Sequence, residues 1–108
     1  MPRIAHRFHG PAQVSNAAAT KFTVGANEKA VIRHIHVQNP SGGAVTFTAS
    51  IGADAAATRI FDAKSLAAGE VLDHFCYYVM EETEIFQAFS GTNNVLVLTI
   101  DGERSVLG

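Results

Sequence analysis

From Ala30 to Asn39, and again from Ala44 to Ile51, apolar residues recur at alternate positions, and the residues Asn39-Pro40-Ser41-Gly42-Gly43 that join the two segments cannot continue a strand. A repeat of two puts neighbouring side chains on opposite faces of a strand, whereas a helix would need a repeat near 3.6. Pro40 has no N–H for a ladder, and the paired glycines break regular structure. In the second segment Val45, Phe47, Ala49 and Ile51 alternate with Thr46, Thr48 and Ser50, the pattern of an antiparallel strand with one wet face. In the first, Val31, Ile35 and Val37 share a parity with Arg33, and Ile32, His34, His36 and Gln38 take the other. One face reads as dry and the other as mixed.

The same grammar of short β-rich segments closed by turn residues recurs along the chain and predicts five more strands. These are Lys21 to Val24, Arg59 to Ala63, Val71 to Val79, Glu84 to Phe89 and Val95 to Ile100. Turns are expected at Gly25-Ala26-Asn27, Leu66-Ala67-Ala68-Gly69-Glu70, Met80 to Thr83 and Ser90 to Asn94. The run from Val95 to Ile100 is almost continuously apolar, as in a central strand. Seven to eight strands and no convincing helix predict an all-β chain, an antiparallel β-sandwich of jelly-roll or immunoglobulin-like type. Its expected core is Ile35, Val37, Phe47, Phe75, Tyr77, Leu96 and Leu98. Residues 1–18 lack a periodic apolar face and read as an extended N-terminal arm, leaving 19–108 as the sandwich domain.

With 108 residues, 47% hydrophobic and 17% charged, the chain has apolar material for one core and too little charge for disorder. The net charge of −2 argues against nucleic acid as a direct partner. That charge is uneven. Residues 1–33 carry five basic side chains against Glu28, and residues 34–108 carry three against nine acids, so +4 is followed by −6. Solvated surface charge explains this, and so would a basic end that meets an acidic neighbour. Cys76 is alone, so folding relies on packing, as in a reducing compartment. No signal-peptide core and no membrane-length apolar run is visible, and the expectation is a soluble chain with no membrane partner.

Candidate chemistry is sparse. His34 and His36 lie two apart on one predicted strand, and His74 and Cys76 repeat that spacing on another, so four ligands could meet at one tetrahedral zinc. Any strand with histidines at alternate positions produces this spacing, and ordinary surface or interface histidines are the simpler reading. The expectation is therefore no metal and no cofactor. His34-Ile35-His36 resembles the paired histidines of the metal-binding cupins, but Val37, Gln38, Asn39 and Pro40 follow where a cupin would show a Glu. Cys76 sits within a strand and not at a site that would stabilise a thiolate. Glu81, Glu82 and Glu84 read as a charged turn, and Gly42-Gly43 lacks the Lys-Ser/Thr of a phosphate loop. An enzyme is not expected.

The run from Lys21 to Arg33, with Val24-Gly25-Ala26-Asn27-Glu28 at its turn, then Asn39 and Ser41-Gly42-Gly43-Ala44-Val45-Thr46, resembles the small accessory virion proteins of tailed bacteriophages. In that group a turn feeds a long strand ending in Asn, and a Gly/Ala turn leads into a Thr-alternating strand. Leu66 to Glu70 resembles the group's second turn and Asn94 to Gly102 its closing strand. The resemblance implies a β-sandwich located on the virion and assembled in the host cytoplasm. It would bind the major capsid protein or another virion protein as a homo-oligomer, with a trimer as the analogy's first choice. A capsid decoration or cement protein is the leading expectation, and a tail or head-tail neck component is its rival. A carbohydrate-binding or host-adhesion module is the alternative of another class, against which stands the lack of aromatics in the predicted loops. Partner contacts are expected on the arm, with Arg3 and Arg7 pairing with carboxylates, Ile4 and Phe8 as apolar anchors, and His6 and His9 beside them.

Overall fold

The structure, a computed structural model, describes residues 3–106. The chain forms eight strands: β1 (Arg3–Gln13), β2 (Ala19–Thr23), β3 (Glu28–Gln38), β4 (Val45–Ile51), β5 (Arg59–Leu66), β6 (Val71–Met80), β7 (Ile85–Ser90) and β8 (Val97–Val106). Among the described residues there is no helix. The strands build two four-stranded antiparallel sheets, ordered β1-β8-β3-β6 and β2-β7-β4-β5. Strand 1 pairs with 8, 2 with 7, 3 with 6 and 4 with 5, as when one long hairpin is rolled over itself. That is the jelly-roll form of the sandwich, built of two Greek keys.

The core lies between the sheets. Ile32, Ile35 and Val37 of β3, Leu98 and Ile100 of β8, and Phe47 and Phe86 from the opposite sheet are all fully buried. Phe22 stacks on Phe86 with ring centroids 5.4 Å apart, and Phe8 stacks on Phe22 at 4.8 Å, so an aromatic column runs from β7 through β2 to β1. One buried polar side chain ties the turns together. Asn39 Nδ2 donates to the carbonyls of Gly43 and Leu66, each at 2.9 Å, and Oδ1 accepts from the Ser41 hydroxyl at 2.7 Å.

The inward parity of β3 changes partway along the strand. Ala30 and Ile32 point inward before a register slip between Ile32 and His34, and Ile35 and Val37 point inward after it. The expected face of Val31, Ile35 and Val37 with Arg33 is therefore divided, because the irregularity inserts one outward-facing residue more than a regular strand allows.

Two expectations are corrected. Residues 3–13 of the expected arm are strand β1, paired along β8 from Arg3↔Ser105 to Gln13↔Val97. Residues 1–2 of that arm lie outside the described residues. The segment has no clean alternation because an edge strand with one wet face tolerates Arg and His, and its backbone pairing does not depend on side-chain pattern. Phe75 and Tyr77, expected in the core, are instead 75% and 59% exposed. Val71 and Val79 share their outward face, while Leu72, His74, Cys76 and Tyr78 are half-buried on the inner side.

Candidate functional site: the outer face of the β1-β8-β3-β6 sheet

The exposed side of the first sheet brings imidazole, aromatic and charged side chains together, and strand pairing determines which residues meet there. On β3 and β6, His34 lies opposite Phe75 and His36 opposite Asp73. Directly opposed residues in an antiparallel pair share a face, so the four side chains stand together. The His34 ring lies flat against Phe75, with centroids 4.4 Å apart and planes 4° apart. His34 Nε2 is 2.9 Å from Asp73 Oδ1, and His36 Nδ1 is 2.6 Å from the same oxygen. The hydrogen bond from His36, and after it that from His34, holds the Asp73 carboxyl below its ordinary range, so it is ionised at neutral pH.

Beside this cluster a line of charges crosses the sheet. Glu103 of β8 meets Arg33 at 3.1 Å and Arg3 at 3.8 Å. The Arg33 guanidinium lies 5.6 Å from the centre of the Tyr77 ring, and Arg3 Nη1 donates to the Tyr77 hydroxyl at 3.4 Å. Arg7 pairs with Asp101 at 3.9 Å. These exposed pairs contribute little stability, but they orient the long side chains around Tyr77.

The four residues that sequence spacing grouped as zinc ligands are divided by the sheet. His34 and His36 point out, whereas His74 and Cys76 point toward the core. His74 Nε2 lies 3.1 Å from the Tyr78 hydroxyl, and its ring packs edge-on against Phe61. Cys76 Sγ donates to the Ile32 carbonyl at 3.4 Å, and burial raises its thiol pKa, which suits an unreactive cysteine. The residue that joins the histidine pair is Asp73, which the sequence reading passed over. Its signal was a lone carboxylate inside an otherwise apolar strand.

The expected partner-binding residues also separate. Arg3 and Arg7 lie on the outer face and are paired as described. Ile4 is exposed. His6 and Phe8 line a crevice of about 190 Å³ between the sheets, with Phe22, Val24, Glu28 and Arg104. Phe8 is thereby committed to packing within the domain. His9 is half-buried near Lys21, and its Nε2 has no hydrogen-bond partner.

No protein-family model matches the chain, and no curated protein matches it. Among solved structures, the chain is similar to one from the structure of the infectious bursal disease virus Gt strain, at 12% identity and a TM-score of 0.29. The similarity covers 95% of this chain and 29% of that one, so this chain spans under a third of the other's length. At that TM-score the similarity carries no argument about function. Among the described residues, no helix is long and apolar enough to cross a membrane.

Proposed function

We propose that this chain is a structural virion component, a decoration protein that binds the assembled capsid shell of a tailed phage particle as an oligomer. The observation that carries this reading is the exposed apolar row Val71, Phe75, Tyr77 and Val79 on β6, at the free edge of the first sheet. An open edge invites pairing, and proteins that stay apart blunt it with short strands, charges, proline or bulges. Three of the four edges here are blunted. β1 carries Arg3, Arg7, Pro11 and two register slips. β2 is only five residues long and contains Lys21. β5 carries Arg59, Asp62 and Lys64. β6 spans ten residues with no Lys, Arg, Pro or Gly, and its one acid is Asp73.

The occupant that fits this edge is a second copy of the chain. Antiparallel self-pairing centred on Phe75 sets Val71 against Val79 of the partner subunit and Phe75 against Phe75 of the partner subunit. Asp73 then meets Tyr77 of the partner subunit, the ring beside which Arg33 sits within each copy. The apolar residues then face one another across one two-fold axis. The turn motifs resembling phage accessory proteins supply the particle context, and the jelly-roll architecture is one that capsid proteins use among many others.

Sedimentation of the purified chain, followed by mixing with undecorated particles, tests the reading. Dimers that bind shells in hundreds of copies support it. A concentration-independent monomer that binds no particle overturns it, a trimer removes the β6 pairing, and a handful of copies per particle moves the chain to the tail or neck. A second reading gains from the same exposed rings. Phe75 and Tyr77 provide the aromatics that a carbohydrate site needs and that the loops lack, so saturable binding to a glycan array, lost on Phe75→Ala, would favour host adhesion.

A further inference from the structure

We propose that His34, His36 and Asp73 form a zinc site of the two-histidine, one-carboxylate type on the outer face of the first sheet. Their ligand atoms, two imidazole nitrogens and a carboxylate oxygen, all lie within 4.8 Å of one another. Around a tetrahedral zinc with bonds of about 2.0–2.2 Å, ligand atoms sit roughly 3.3–3.5 Å apart. The two nitrogens are now 2.9 and 2.6 Å from Asp73 Oδ1, so each must move away from that oxygen by under about 1 Å to admit the ion. The donor set also suits zinc, which takes neutral imidazole and ionised carboxylate, and the open coordination position would hold water.

The electrostatics of the face point the same way. Its other carboxylates, Asp101 and Glu103, each meet an arginine, whereas Asp73 meets only two imidazoles. The ligands are also held in place. His34 and His36 occupy alternate positions of a central strand, Asp73 is registered opposite His36, and Phe75 stacks on the His34 ring. Such support for a ligand's orientation strengthens metal binding. The sequence expectation of no metal weighed a set containing His74 and Cys76, which face the other way. Asp73 supplies the third ligand that spacing within one strand could not reveal.

Chelator-treated protein titrated calorimetrically with zinc chloride at neutral pH should bind one zinc per chain at micromolar concentration. Cobalt(II) in place of zinc should give visible d–d bands of a mixed nitrogen and oxygen site. His36→Ala and Asp73→Asn should each weaken zinc binding at least about tenfold, while circular dichroism and the response of Asp101→Asn stay unchanged. Uptake only at millimolar zinc, or uptake that His36→Ala and Asp73→Asn leave intact, would overturn the site. Neither result depends on whether the chain binds a particle.

Discussion

Ile35 on β3 stands directly opposite His74 on β6, and because opposed residues share a face, the burial of Ile35 turns His74 inward and its neighbour Phe75 out to solvent. Val37 opposite Leu72 repeats the arrangement one step along the pair. The outer row of β6 therefore follows from the packing of β3. Phe47 and Phe75, similar in strand context, should answer mutation in opposite ways. Phe47→Ala removes a fully buried ring and should cost about 3–5 kcal/mol. Phe75→Ala should shift the denaturation midpoint of the monomer little while weakening self-association. Equal losses at the two positions, measured in urea, would contradict the burial.

Asn39 is the second test, because its amide serves the 39–43 turn and the chain leaving β5 together. Its backbone N–H also donates to the Glu70 carbonyl at 2.9 Å, so only the side chain's role is removed by substitution. Asn39→Ala should destabilise the domain by about 1–3 kcal/mol, the cost of leaving buried carbonyls unpaired. Asn39→Asp should do no better, since a carboxylate cannot donate to Gly43 and Leu66. Chemical denaturation of both variants reads the difference.

Gly102 permits β8 to pass close to β3. A Cβ placed there would stand 1.9 Å from the Val31 carbonyl oxygen, a backbone atom that cannot step aside without disrupting the pair. Gly42, in the exposed turn before β4, has nothing within 4 Å of the same construction. Gly102→Ala should therefore lower the melting temperature markedly, and Gly42→Ala should leave it almost unchanged. A small effect at Gly102 would mean that β3 and β8 lie farther apart than described.

Acidification should find His9. Burial, and after it the Lys21 charge, pulls its imidazole below the ordinary value of 6.5 in the folded chain. On a falling pH the unfolded chain takes up this proton first, so the His9 contribution is complete above 6.5 and is lost between 6.5 and the lower folded value. His9→Gln removes the titration. Its stability should then decline less steeply with falling pH in that window than the parent's, as read by denaturant titration at a series of pH values. Identical slopes would place the acid sensitivity elsewhere.

The all-β class, the turn at Asn39 to Gly43 and seven of the strands were legible in the sequence, because a repeat of two and the chemistry of Pro, Gly and Asn act over a few neighbouring residues. Phe47, Ile35, Val37, Leu96 and Leu98 could be assigned to the core for the same reason. Three things depended on tertiary structure. β1 exists because β8 offers it an edge, and no local pattern within residues 3–13 announces that partner. β6 is apolar on both parities, so only its register against β3 decides that Leu72 faces the core and Phe75 faces water. Asp73 meets His34 and His36 across strands nearly forty residues apart in the chain, a distance over which side-chain periodicity carries no information and hydrogen-bonded register carries all of it.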